Sequence, residues 1–204
     1  MEILAPAGSM ETLIGAINAG AQAVYLAGRR FGARAYAANF SDEELIQAIN
    51  YAHLRGVFVY VAVNTMIYDD EISELTEYTD FLVINHVDAL IVQDLGVMHL
   101  LRKRYPDLEI HASTQANAHS LDQVRFLKEL GIKRVVLARE TSLDIIKQIK
   151  KQIDIEIEVF VHGALCVCFS GNCLMSSMIG GRSGNRGECA QPCRLPYALI
   201  KDQK

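Results

Sequence analysis

The chain's 204 residues suffice for one sizeable domain and are few for two, and 50% apolar with 22% charged residues excludes a disordered or fibrous chain. A net charge of −4 excludes nucleic-acid binding through overall charge, so such binding needs a local basic patch. No apolar run reaches transmembrane length and the N-terminus lacks a charged-then-apolar leader pattern, which points to the cytoplasm and away from a membrane.

In chain order, a short apolar run opens at Glu2 and ends in the turn residues Pro6-Ala7-Gly8. Met10 to Asn18 has helical spacing, and Ala23 to Gly28 reads as a second strand. Ser41 followed by Asp42, Glu43 and Glu44 is an N-cap with an acidic first turn, starting a helix that ends at Gly56. Val57 to Asn64 is a β-branched run suited to a strand buried on both faces. Helix is then expected over 69–86, strand over 89–93, helix over 95–105, strand over 109–114 and helix over 121–130, stopped by Gly131. Strand over 134–139, helix over 141–153 and strand over 156–161 follow, and Tyr197 to Ile200 is the candidate eighth strand.

Short apolar strands alternating with amphipathic helices specify a parallel α/β sheet. Seven or eight units at roughly 20–35 residue spacing favour a closed (β/α)8, TIM-like barrel filling residues 1–204 as a single domain, complete or truncated, with a Cys-rich segment (158–194) after strand seven. The alternative is an open doubly wound sheet, but no Gly-x-Gly-x-x-Gly fingerprint follows the first strand.

Parallel barrels place chemistry at the carboxyl ends of their strands. Here those ends hold Asn64 and Thr65, Gln93 and Asp94, Arg139 and Glu140, and His162 with Gly163. His111, Ser113 and Gln115 share one face of the fifth strand by period-two alternation. Ordinary loop polarity explains Asn64, Gln93 and Asp94 equally well, and a single strand histidine is more often a packed one. Glu158 is a carboxylate inside an apolar strand, so it faces outward or is paired, because unpaired burial is costly. His53, His86 and His99 fall on helices or their ends and read as surface or packing residues.

All five cysteines lie in the last forty residues: Cys166, Cys168, Cys173, Cys189 and Cys193. An odd number of thiols in a cytoplasmic protein does not suit a disulfide framework. Structural zinc sites usually use Cys-x-x-Cys pairs, which are missing here, whereas iron–sulfur clusters accept more varied spacing and want four thiolates. On residue types alone the two metals stand level, with a lone reactive thiol next. Between the thiols, Gly181-Arg182-Ser183-Gly184-Asn185-Arg186-Gly187 is either a solvated loop or an anion clamp for a carboxylate or an RNA backbone.

The run Glu158-x-Phe160-x-x-Gly163-Ala164-Leu165-Cys166, continued by Gly171-x-Cys173-x-Met175-Ser176, resembles the signature of the collagenase-like peptidase family U32. Leu4-Ala5-Pro6-Ala7-Gly8, His111-Ala112-Ser113-Thr114-Gln115 and Gly187-Glu188-Cys189-Ala190-Gln191-Pro192-Cys193-Arg194 are similar to it too, the last most of all to the branch linked to tRNA wobble-uridine hydroxylation. The likeness covers essentially the whole chain, although members of the family are usually longer, so a fragment or a short member is expected.

The resemblance implies oxygen-independent hydroxylation of a tRNA uridine. It implies a four-iron four-sulfur cluster on Cys166, Cys173, Cys189 and Cys193, with Cys168 a bystander. Prephenate is the implied co-substrate, with tRNA (or another RNA) and a second protein of the same family as partners. His111, Gln115, Arg139, Glu158 and His162 then line the catalytic mouth, with His111 or His162 as proton carrier, and Asn64, Arg182 and Arg186 bind substrate. The family name implies instead a peptidase, with Cys166 as nucleophile and His162 as base, though no Gly-x-Ser-x-Gly or His-Glu-x-x-His occurs. A zinc-stabilised, non-catalytic scaffold subunit is the third reading.

Overall fold

A computed structural model describes residues 1–199. Seven parallel strands lie side by side in chain order: β1 (Leu4–Pro6), β2 (Ala23–Leu26), β3 (Phe58–Val63), β4 (Ala89–Val92), β5 (Glu109–Ala112), β6 (Arg134–Val136) and β7 (Glu156–Glu158). Helices α1 (Met10–Asn18), α2 (Asp42–His53), α3 (Ile72–Ile84), α4 (Leu95–Arg104), α5 (Leu121–Glu129) and α6 (Leu143–Gln152) connect successive strands, and α7 (Met175–Gly180) follows β7. The sheet curls into a half-barrel. A doubly wound sheet would need a reversal of strand order, and this order has none.

The closed eight-stranded barrel is not what the described residues form. Their sheet has seven strands, with β1 and β7 as its edges. Residues 197–199 of the expected eighth strand carry no strand structure, and Ile200 lies outside the described residues. Strand β7 also stops at Glu158, short of the expected 161, because its neighbour β6 ends at Val136 and offers little more than a last bond from Leu137 N–H to the Glu158 carbonyl (3.0 Å).

Local sequence explains where the helices begin. Ser41 is the expected N-cap and forms a reciprocal capping box with Glu44, and Ser9 with Thr12 forms another. Asp94, Ser120 and Ser142 cap α4, α5 and α6 through their side-chain oxygens. Each such cap stabilises its helix by about 1 kcal/mol.

The strands sort their side chains onto two faces by period two. Val24, Leu26, Val59, Val61, Val63, Leu90, Val92, Ile110 and Val135 pack with the helices in the main core. Ala23, Tyr60, Ala89 and Ile91 form a smaller cluster with Leu4 and Tyr25 on the other face, inside the curl. Full burial of each large aliphatic side chain contributes about 2 kcal/mol, so the helix-facing side holds most of the apolar stabilisation. The inner face combines that small apolar cluster with polar groups such as His111 and Ser113. No helix among the described residues is long and apolar enough to cross a membrane.

Candidate active site at the strand ends

The chain beyond β7 returns across the carboxyl ends of the strands and is fastened there at several points. Glu140, just past β6, accepts hydrogen bonds from the backbone N–H and the hydroxyl of Ser170, and Arg139 donates to the same hydroxyl (3.3 Å). Burial pushes the Glu140 carboxyl up, but its backbone hydrogen bonds and those from Ser170 win and hold it below its ordinary value. Gly171 presses on β5's extension: a Cβ there would come within 2.0 Å of the Gln115 carbonyl oxygen. On the opposite side Met66 donates to the Asn185 carbonyl (2.9 Å) and Ala35 to that of Gly187 (3.0 Å). The segment is thus a cap laid over the mouth of the half-barrel.

Between cap and strand ends lies a cavity of about 520 Å³, walled by Gln93 after β4, Gln115 and Asn117 after β5, and Asn172 and Asn185 of the cap. Asp94 also reaches it, but its carboxylate caps α4 and accepts from Ile67 N–H (3.3 Å). The side-chain oxygens of Gln93 and Asn117 are buried with no hydrogen-bond partner. Asn117 adopts a left-handed backbone (φ 56, ψ 37), which asparagine tolerates better than most residues. Asn117, Asn172 and Asn185 escaped the sequence reading. Their recurrence in the loops after strand five and in the glycine-rich cap was the available signal.

The residues expected at one mouth occupy different places. Gln115 lines the cavity, Arg139 fastens the cap, and His162 is exposed on a loop. Asn64 ties loops together, accepting from Ala33 N–H (2.9 Å) and donating to Ser113 (3.4 Å). Arg186 pairs through two nitrogens with Glu71, whose carboxyl that contact holds below its ordinary value, and it also donates to the Met66 carbonyl. Arg182 donates to the Glu188 carbonyl (2.9 Å) and lies 4.4 Å over the Tyr36 ring. Both arginines therefore hold the cap in shape, and an anion would compete with those contacts.

His111 and Glu158 belong to a second group, inside the curl. Arg134 donates to Glu2 just before β1 (2.6 Å) and to Glu156 (2.7 and 2.9 Å), with Glu158 at 3.6 Å. Tyr60 donates to Glu2 and stands edge-on to His111, ring centroids 4.7 Å apart. His111 is fully buried, and burial, then Arg134 and Lys133, push its imidazole down to about 3. It is therefore neutral at ordinary pH, with neither ring nitrogen hydrogen-bonded. Burial raises the Glu158 carboxyl despite the opposing pull of Arg134. Arg134 and Glu156 are the first residues of their strands, at the end of a barrel that ordinarily secures the fold. Glu2, Tyr60 and Arg134 were missed; the available signal was Glu156 and Glu158 at even spacing on strand seven, carboxylates on one face in want of a cation.

The five thiols are free, Cys166, Cys189 and Cys193 exposed and Cys168 and Cys173 half-buried. Burial, then Cys173 and Cys166, push the Cys168 thiol up, so the expected bystander stands among its neighbours. Cys189 Sγ accepts from Gln191 N–H (3.4 Å). The side chains suit an iron–sulfur cluster or zinc in kind. In arrangement they do not: among the described residues no three His, Cys, Asp or Glu side chains are gathered to hold a metal ion.

The model of Peptidase family U32 matches residues 8–204. The chain is 43% identical to the 23S rRNA 5-hydroxycytidine synthase of Escherichia coli, over all of its own length and 30% of that protein's. It is 40% identical to tRNA hydroxylation protein P1 of Bacillus subtilis, over 98% of its length and 47% of the relative's, and 36% identical to the collagenase of Porphyromonas gingivalis, over 99% and 51%. It thus spans about half the length, or less, of these curated relatives. Among solved structures a U32 peptidase superposes on 78% of the chain and 68% of its own with a TM-score of 0.67 at 16% identity, a likeness of fold alone.

Proposed function

The chain belongs to peptidase family U32, and on that premise we propose that the protein containing it hydroxylates a pyrimidine of RNA, a tRNA uridine foremost, by an oxygen-independent route. The observation that carries this reading is identity of 40% or more, along nearly the whole chain, to hydroxylation proteins of both tRNA and rRNA. The capped cavity at the carboxyl ends of the strands supports it, since that is where enzymes of this architecture work.

In this reading Cys166, Cys173, Cys189 and Cys193 hold a four-iron four-sulfur cluster, and prephenate is the co-substrate. Gathering the four thiols around it requires the cap to rearrange. The chain's own residues enclose and orient. Gln115 walls the cavity, and Arg139 with Glu140 fastens the cap over it. Buried His111 and half-buried Glu158 shape the interior of the curl, and the mobile proton is left to exposed His162. Among the described residues Arg139 and Arg182 form no salt bridge, so an RNA phosphate or a dicarboxylate would reach them in competition with their contacts to Ser170 and to the Glu188 carbonyl.

Mass spectrometry of tRNA and rRNA nucleosides from cells with and without the gene tests the activity. Loss of a hydroxylated pyrimidine on deletion is expected, and an unchanged nucleoside profile would reject it. Iron and sulfide analysis of anaerobically purified full-length protein tests the cluster. Four irons per chain are expected, and one zinc with no iron would replace the cluster with a structural metal.

The peptidase reading rests on the collagenase relative. Among the described residues no hydrogen bond joins Cys166 to His162, both of which are exposed. Peptide hydrolysis abolished in Cys166→Ala, with RNA unaffected by gene deletion, would favour it.

A further inference from the structure

We propose that the loop after β2, residues 27–40, forms with Arg182 of the cap a landing surface for the single-stranded RNA that flanks the target nucleotide, with Tyr36 stacked on a base and Arg34 against the backbone; this rests on the RNA reading above. Charge, bracing and an open aromatic ring each point to it.

The chain as a whole is acidic, with a net charge of −4, yet from Ala27 to Phe40 it holds three arginines and no Asp or Glu. Arg30 pairs with Asp42 at the start of α2 (2.6 Å). The Glu43 carboxyl is held below its ordinary value by its own backbone, then Ser41, then Arg29, so Arg29 is partly matched too. Arg34 is exposed and, among the described residues, forms no salt bridge. Arg182, which the cap brings alongside, has no carboxylate partner either. A local excess of guanidinium on an acidic protein suits a polyanion met at one place.

The loop projects but is braced. Arg34 to Ala38 are exposed without a break. The Arg34 carbonyl accepts from Ala37 N–H (3.0 Å) and from the Asn39 side-chain amide (2.9 Å). Ala33 N–H donates to Asn64 after β3 (2.9 Å), and Ala35 N–H to the Gly187 carbonyl of the cap (3.0 Å). A Cβ on Gly187 would come within 2.5 Å of the Gly32 carbonyl oxygen, so loop and cap meet backbone to backbone. A loop fixed in this way beside the mouth has little conformational entropy left to lose on binding.

Tyr36 is 69% exposed. The Arg182 guanidinium lies 4.4 Å from the ring centroid, over one face, and leaves the other face to solvent. Its own donation to the Glu188 carbonyl holds that guanidinium in place. A ring backed by a cation and open on its far side is a platform on which any unpaired base can stack, while the guanidiniums beside it meet phosphates. An acidic peptide would use the arginines and leave the ring idle, so the ring favours RNA.

The test is fluorescence anisotropy of the full-length protein with a labelled single-stranded RNA of mixed sequence, over a series of salt concentrations, with a polyglutamate peptide of equal charge as the comparison probe. Tyr36→Leu should weaken RNA binding roughly tenfold and keep the parent's salt dependence. Tyr36→Phe should bind as the parent does, because the ring and not the hydroxyl makes the contact. Arg34→Gln should weaken binding and lower the slope of log affinity against log salt by about 0.7, one phosphate contact on a single strand. Lys147→Gln, which removes one positive charge from the exposed surface of α6, should change neither. All four substitutions fall on exposed side chains, and their circular-dichroism spectra should match the parent's. If RNA binds but either Tyr36→Leu or Arg34→Gln behaves as the parent, or Lys147→Gln acts as strongly as Arg34→Gln, the surface is overturned and the RNA reading stands. Peptide bound as tightly as RNA, with Tyr36→Leu without effect, would make it a general anion patch and overturn it equally. If the parent binds no RNA, the RNA reading fails with it.

Discussion

Arg134 and Glu2 are 132 residues apart in sequence and 2.6 Å apart in space. The guanidinium reaches from β6 to Glu2, two residues before β1, and gathers Glu156 and Glu158 as well. One cation thus ties the first and last parts of a half-barrel whose edge strands, among the described residues, do not pair.

Removing that cation should be costly. Arg134→Leu leaves Glu2, Glu156 and Glu158 facing one another with only Lys133, 3.7 Å from Glu156, as counter-charge, and in this partly exposed group the loss should fall below the roughly 3–5 kcal/mol of a buried pair. Urea unfolding at neutral pH measures the loss. The deficit should shrink in acid, where repulsion among the carboxylates is relieved.

Glu158 has the opposite sign to most carboxylates. Burial holds its folded value above the ordinary one, so its contribution is complete below the unfolded value and is lost as pH rises through the folded one. Glu158→Gln should therefore raise the melting midpoint at neutral pH and leave it unchanged below about pH 4. A variant less stable than the parent at pH 7 would show that the Arg134 contact outweighs burial.

His111 makes the fold acid-sensitive. Its folded value near 3 lies below the unfolded one, so its stabilising share is present above about pH 6.5 and is lost as pH falls toward 3. The slope should be about 1.4 kcal/mol per pH unit across that window. His111→Phe keeps a ring against Tyr60 and should flatten the slope, read by urea titrations at several pH values.

Gly171→Ala tests the docking of the cap. Its φ of +74° disfavours a side chain and the new Cβ would overlap the Gln115 carbonyl. A loss of about 1–3 kcal/mol is expected, confined to the cap. Hydrogen exchange should quicken around residues 169–173 while the strands keep their protection.

Much of the molecule was legible before its fold was known. The order of strands and helices, the Ser41–Glu44 box and the helix-facing valines of β3 follow from contacts within a few residues, where propensity and period act directly. The thiol-rich segment and its family likeness were equally local patterns. What only the tertiary structure decided were the pairings of distant groups. They include Arg134 with Glu2, Arg186 with Glu71 instead of a free anion clamp, and Gly171 against Gln115. His111 shows why. Its face of the strand could be read from period two, but whether that face meets the mouth or the sealed interior depends on how far the sheet curls and what crosses it. That curvature sums small twists over seven strands and reaches closure or not through long-range contacts, which no short window of sequence contains.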